Sequence, residues 1–377
     1  MKILYLSAYP IEHFDQLEKM KMQNLTYASQ KFNSTFIQGF KNIGCDIEVL
    51  CARDILAEQA NNNTRLSWKT INENDINYLF PPTSSNKYIR KLIRPISISN
   101  YVKNFFKDNP DGIVLMDNLS PCTWDVFKTS KRTCSIVTDL TNDPEEHKRH
   151  AKMYKMISHS DYIVFLTNQM KEVIDLSHAK SNIVIQGVID DKFQQLYTSK
   201  KKVILYSGTI NEGNGSLLLM KAFKKLDTDY ELHFYGKGPN IQNVIDESKN
   251  CSRIKYMGTV SSEEIARAQQ EALIAVNPET MNHSFATYSF PSKLLVYLSS
   301  GATTISTKLP CIPEEMFSVL ETFASDSIED IYNGLNRLVH LSEQELIEIG
   351  KKQQEYVYKN YSNTVQAQKV IDMINNN

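Results

Sequence analysis

Short apolar runs rich in β-branched and aromatic residues alternate with helix-patterned segments along almost the whole chain. This alternation restricts the fold more than any other feature. KILYL (2–6), DIEVLC (46–51), GIVLM (112–116), TCSIVTD (133–139), YIVFL (162–166) and NIVIQ (182–186) form a first series. VILYS (203–207), ELHFY (231–235), RIKYM (253–257), LIAVN (273–277) and ATTIS (302–306) form a second. Helical patterns lie between several of them, at 27–43 (stopped by Gly44), 145–159, 168–178, 215–226, 239–249, 262–271 and 291–300, and the tail from 327 is helical. Runs of this kind are the strands of parallel sheets with helices on both faces. The two series part near 187–202, where GVIDDKFQQLYTSKKK is polar and basic. At 377 residues the chain is also too long for one ordinary core. The expected class is α/β, with two doubly wound domains facing each other across a cleft. They are expected at 1–190 and 191–360, with a C-terminal helix over 361–377 that can pack back on the N-terminal domain.

Composition removes several alternatives. The hydrophobic fraction of 41% and the charged fraction of 23% are those of a soluble globular protein. A net charge of -1 gives no global field that would select nucleic acid. The six cysteines are scattered, with no CxxC pair, which speaks against a disulfide framework or a zinc site and for a reducing cytoplasm. MKILYLSAYP reads as a first strand rather than a signal peptide. No stretch approaches the ~20 apolar residues of a membrane span.

Ligands of open α/β sheets bind at the carboxyl ends of strands. That rule directs attention to GTINEGNGS (208–216), GKGP (236–239), PETMNHSFATYSFPSK (278–293) and LTNDPEEHKRH (140–150). The third of these runs into a helix. Pro291 suits the first helical turn because its missing N–H costs nothing there. Ser289 or Phe290 is expected at the cap, Ser292 in the first turn, and Gly301 at the C-terminal stop. The free amides of such a turn attract anions, and Lys293 adds a formal positive charge. Ser-Phe-Pro-Ser is equally a good capping sequence, so the residues alone leave both readings open.

YSFPSK, followed by LLVY, LSSG, ATTI and STKLPCIPEE (288–315), resembles the donor-site segment of bacterial family 4 retaining glycosyltransferases with the GT-B fold. SGTINEGNG is similar to the first loop of that family's second domain, and FYGKGP to its next strand and turn. SDYIVFLTNQM and IVIQGVID are similar to the end of its first domain. The resemblance covers most of 133–316 and is much weaker before residue 110.

The resemblance implies two Rossmann-like domains, with a nucleotide-sugar donor on the second and an acceptor on the first. A sugar would move with retention, with no cofactor and no metal, to a saccharide or lipid-linked acceptor. Synthesis of a surface polysaccharide such as capsule or O-antigen is the implied setting, and a UDP-linked donor the common one. Helix dipole and basic side chains would stabilise the leaving diphosphate. Gly208 and Thr209 would approach the phosphates. Ser289, Phe290, Pro291 and Ser292 would supply backbone or hydroxyl contacts to phosphate or sugar, Tyr288 would line the donor, and Lys293 would supply charge to it. Lys237 could flank the base, and His283 could contact the donor sugar. On the acceptor side, Asp139 ends a strand and could orient an acceptor hydroxyl or cap the next segment. His147 could contact a sugar; with His150 it lacks the further ligands a metal needs.

Several positions depart from the family pattern. Val296 stands where a glutamate usually holds the ribose hydroxyls, and Thr209 and Asn214 stand where arginine and lysine are common. Glu279 stands where an arginine would help a phosphate. A charged hydrogen bond is worth roughly 1.5–3 kcal/mol, so losing the ribose carboxylate alone could weaken donor binding by ~10–100-fold. A catalytically degenerate partner or scaffold therefore stands beside the active enzyme, and a sugar-nucleotide epimerase is a third reading. NKYIRKLIRPISISNYVKNFFK (86–107) interleaves basic with apolar residues. It reads either as an ordinary surface helix or as a segment that rests on an anionic membrane at the inner face of the cell.

Overall fold

The computed structural model describes residues 1–6, 27–51, 67–84, 86–117, 124–138, 140, 142–191, 195, 199–281 and 286–376. The chain forms two compact units, Met1–Val188 with Asn363–Asn377, and Ile189–Ser362.

The first unit is built on a sheet in the order β3-β4-β2-β1-β5-β6-β7-β8. Its strands are β1 (Lys2–Leu6), β2 (Asp46–Leu50), β3 (Lys69–Glu73), β4 (Ile76–Phe80), β5 (Ile113–Asp117), β6 (Thr133–Val137), β7 (Tyr162–Phe165) and β8 (Ser181–Val184). All pairings are parallel except β3 with β4. The central strands are buried along their whole length, as with IVLMD of β5, because helices cover both faces. On one face lie α1 (Tyr27–Asn42) and the C-terminal helix Asn363–Asn375, with Phe36, Phe40, Ala367, Val370 and Ile374 in one core. Gly39 permits their contact: a Cβ there would stand 2.3 Å from the Asn363 carbonyl oxygen. The other face is covered by α2 (Lys87–Asp108) through Ile98, Val102, Phe105 and Phe106.

The second unit has the order β11-β10-β9-β12-β13-β14, all parallel. Its strands are β9 (Lys201–Ser207), β10 (Glu231–Tyr235), β11 (Ile254–Gly258), β12 (Ala272–Asn277), β13 (Thr303–Thr307) and β14 (Glu321–Phe323). This is the doubly wound arrangement, and strand order reverses between β9 and β12. Helices Ser216–Lys224, Ile241–Asn250, Ser262–Glu271, Ser292–Ser300, Ile328–Val339 and Glu343–Tyr361 complete it. Capping boxes at Ser261/Glu264 and Ser342/Glu345 start two of them, and Gly301, at φ 75°, stops the helix that begins at Ser292.

The structure departs from the sequence expectations in four places. The β3–β4 hairpin was not expected; it turns through Asn74 and Asp75 at φ 52° and 56°, the geometry that favours Asn and Asp in a two-residue turn. The short edge strand β14 was also missed. The expected helix 145–159 is two helices, Pro144–Arg149 and Ala151–Ser158, broken at His150, because the first buries nothing while the second buries Met156 and Ile157. The expected helix 168–178 is reduced to a 3₁₀ turn at Gln169–Val173.

Candidate functional site

The reversal point between β9 and β12 gathers most of the residues singled out in the second unit. Gly208 follows β9 directly at φ 148°, and Gly236 follows β10 at φ 124°. A Cβ on Gly236 would stand 2.1 Å from the Gly208 carbonyl oxygen, so the two turns touch through bare backbone. The amide of Gly208 donates to Tyr235 O at 3.0 Å, and that of Ile210 to Lys237 O at 2.9 Å. The Thr209 carbonyl accepts from Tyr206 Oη at 2.6 Å and Asn214 Nδ2 at 3.0 Å, which fixes the loop while Thr209 itself stays exposed.

The helix that starts at Ser292 points its first turn into this region. Its cap is Pro291, not Ser289 or Phe290, and no side chain among the described residues caps it. Proline cannot supply a capping oxygen, so the amides of Ser292 and Lys293 lack intrahelical acceptors. From Phe290 the resemblance asks only a backbone contact. Its ring packs in the core with Leu294, Leu295 and Leu298, so only its backbone is open to a ligand. Ser289 and Tyr288 are half-buried and Ser292 is exposed.

Lys293 lies at the centre. Its Nζ sits 5.3 Å from the centroid of the Tyr206 ring and 3.9 Å from Glu279 Oε2, and its Cδ would be 3.8 Å from a Cβ on Gly208. The Glu279 contact is too long for a hydrogen bond. The ammonium is therefore held by a π face and a nearby charge, with its N–H donors unspent among the described residues. Its side chain is only 19% exposed, and burial lowers its pKa below the usual lysine value while the Glu279 carboxylate pulls it back up. Glu279 is itself buried, at the carboxyl end of β12. Tyr297, on the same helix, ties the ensemble together: its Oη donates to Ser207 O at 2.8 Å and accepts from Ser207 N at 2.7 Å. The residue pairing helix to strand end is therefore one the sequence reading passed over, as it did Tyr206. Both lie inside apolar runs, where an aromatic side chain looks like ordinary core.

Other expected residues fall elsewhere. Lys237 is exposed on its turn, and what it contributes locally is its carbonyl. Val296 is 44% exposed on the Ser292–Ser300 helix, so its own side chain leaves the place of the absent carboxylate open. The His147 ring lies tilted against that of Tyr154, centroids 4.1 Å apart, within the first unit. Asp139 and His283 lie outside the described residues. The first unit offers a carboxylate that the sequence reading stopped one residue short of. Asp117, at the carboxyl end of β5, is buried, and its Oδ2 accepts from Asn33 Nδ2 at 2.7 Å; Asn33 Oδ1 in turn accepts from Tyr5 Oη at 2.5 Å. Among the described residues no cluster of His, Cys, Asp or Glu is placed to hold a metal ion.

This geometry is that of a doubly wound domain whose glycine turns and one uncapped helix start meet at its reversal point. Residues 201–340 match the family model of group 1 glycosyl transferases. No curated protein matches the sequence. Solved glycosyltransferase structures match it over nearly its whole length. Sucrose-phosphate synthase from Thermosynechococcus elongatus has a TM-score of 0.66 at 12% identity, covering 100% of this chain and 98% of its own. A single-site mutant of TarM from S. aureus, in complex with fondaparinux, alpha-GlcNAc-glycerol and UDP, has a TM-score of 0.64 at 10% identity, covering 99% of both chains. The apo form of WaaB, a lipopolysaccharide outer core galactosyltransferase, has a TM-score of 0.60 at 16% identity, covering 100% of this chain and 99% of its own. At such identities the likeness speaks for fold alone. The chain has two parallel Rossmann-like sheets, as in solved structures of GT-B glycosyltransferases.

Proposed function

We propose that the chain is a metal-independent retaining glycosyltransferase. It moves a hexosyl group from a UDP-sugar to a saccharide or lipid-linked acceptor in the synthesis of a bacterial surface polysaccharide, at the inner face of the cell membrane. The observation that carries this reading is the Lys293 ammonium, set beside Gly208 and an uncapped helix start with its donors unspent. A leaving diphosphate gathers negative charge as the glycosidic bond to the donor breaks. Amides and an ammonium already in place stabilise that charge without reorganising. TarM, which binds UDP, supports uridine as the base. Gly208 and Thr209 would line the phosphates and Tyr288 and Ser289 the sugar, with Lys237 and His283 flanking. Asp139 and His147 would orient the acceptor from the first unit.

A nucleotide-sugar screen by thermal shift tests the proposal. A UDP-sugar at a hundredfold its Kd stabilises the fold by about 2.7 kcal/mol, a rise in Tm of several degrees. A flat response to every common sugar nucleotide counts against it.

Exposed Val296 and buried Glu279 favour a second reading, a degenerate glycosyltransferase-like partner that no longer holds a donor. Val296→Glu separates the two. In an active enzyme, a carboxylate restored on this exposed helix face tightens UDP binding by about 10-fold through ribose hydrogen bonds. A degenerate site gains nothing, and titration calorimetry reads the difference.

The Lys293 shift also sets a pH dependence. The diphosphate needs the charged ammonium, so UDP affinity is level at neutral pH and falls as pH rises through a midpoint below 10.5. Stability of the free protein moves the opposite way. With its folded pKa lowered, Lys293 binds fewer protons in the native state, so its penalty is present at low pH and relieved across the same window. UDP affinity that stays constant up to pH 10.5 would remove Lys293 from the phosphate site.

A further inference from the structure

We infer that the solvent-facing row of α2 docks this protein on an anionic phospholipid surface. The inference stands on the first unit alone and does not depend on the donor-site reading. Four of the nine large apolar side chains exposed among the described residues fall within Tyr88–Ile96. Tyr88 is 82% exposed, Leu92 64% and Ile96 53%, and Ile89 flanks them at 46%. Spacing of four residues stacks Tyr88, Leu92 and Ile96 on one line of the helix. Further along the same helix Lys103 and Lys107 are also exposed. Ile98, Val102, Phe105 and Phe106 are buried, so this helix turns apolar residues outward as well as inward.

The charge pattern identifies the occupant. Residues 86–107 contain no aspartate or glutamate, and the one acid of α2 is its last residue, Asp108. On other helices, exposed cations pair with acids one turn away, as in Lys148–Glu145, Lys249–Asp246 and Arg267–Glu263. Among the described residues Lys103 and Lys107 have no such partner. Two of the basic residues in the sequence pattern do not join them. Arg90 and Arg94 are buried and donate to the carbonyls of Ser84 and Cys51, where they anchor the helix to the unit. Asn86 fixes the start of the row by capping Tyr88 N and Ile89 N. An apolar end with an interfacial tyrosine, followed by lysines, matches a helix lying in the headgroup layer. No described helix is long and apolar enough to cross a membrane, so the contact is peripheral.

The test is flotation of the full chain with vesicles of phosphatidylcholine, with and without phosphatidylglycerol, and with no nucleotide-sugar present. The protein should float with the anionic vesicles only, and less as salt is raised. Lys103→Gln with Lys107→Gln should weaken binding by about 30-fold, each charge contributing about fivefold. Leu92→Glu with Ile96→Glu should abolish it. Because these side chains are exposed, circular dichroism and thermal unfolding should match wild type, which keeps loss of binding distinct from misfolding. Wild type that stays with the bulk, or variants that float as well as wild type, would overturn the inference. So would a change from dimer to monomer in the Leu92/Ile96 variant with vesicle binding unmoved, since the row would then face a second copy of the chain.

Discussion

Lys293→Met should lower kcat/KM for the UDP-sugar by about 10²–10³, the loss seen when one donor to a developing oxyanion is removed. Methionine is the informative choice. Its unbranched side chain keeps much of the packing over Tyr206 and beside Gly208, so the ammonium is what changes. UDP affinity in the same variant should fall by about 10–100-fold, the worth of a charged hydrogen bond to phosphate. Loss of the ammonium also leaves the buried Glu279 carboxylate, 3.9 Å away, without its cationic neighbour, so thermal unfolding of the variant separates lost stability from lost catalysis. Lys293→Arg keeps the charge but must fit a planar fork into a space shaped by Gly208 and Tyr206, so it should recover only part of the activity. Steady-state kinetics with calorimetry on the three proteins decides the matter. A Lys293→Met enzyme with unchanged kcat/KM would leave the helix amides as the sole anion site and displace lysine from the mechanism.

The second large effect belongs to Gly215→Ala, which should destabilise the second unit by about 3–5 kcal/mol or displace the loop it anchors. Gly215 has φ 69°, and a Cβ built on it would fall 1.7 Å from the carbonyl oxygen of Pro278. That oxygen belongs to the backbone just after β12, so it cannot swing away as a side chain would. Gly258 is the control in the same unit. It has φ 77° but nothing within 4 Å of its would-be Cβ. Gly258→Ala should therefore cost only the left-handed penalty of about 1 kcal/mol. Urea unfolding of the two variants measures the contrast. Equal losses would mean that φ alone, rather than contact with the Pro278 loop, fixes Gly215. Since Glu279 and Lys293 adjoin that loop, the surviving fraction of Gly215→Ala should also bind UDP less well.

Much of this architecture was readable from the sequence because it rests on local, periodic signals. Runs such as VILYS and LIAVN are apolar on both faces, and only a covered parallel strand satisfies that pattern. Gly44 and Gly301 stop helices because a left-handed residue is needed there. The β3–β4 hairpin escaped because KTINENDINYLF is polar and half exposed, so its signal lies in the Asn-Asp turn rather than in hydrophobicity. The convergence of 208–216, 236–239, 278–281 and 286–293 near β9 and β12 followed from strand order, which the alternation implied.

What the sequence could not determine was which polar atoms remain unspent. Phe290 turns its ring into the core and leaves only its backbone for a ligand, whereas Tyr297 looked like core and clamps Ser207. Arg90 and Lys103 carry the same formal charge on one helix, yet one is buried against a carbonyl and the other faces solvent. Lys293 was already the expected source of charge, but its distances to Glu279 and Tyr206, and so its unspent donors, came only from the tertiary structure. The division has a physical cause. Periodicity records which face of an element is apolar, a property of the element itself. Hydrogen-bond satisfaction depends on what packs against it from far along the chain, and only the tertiary structure decides that.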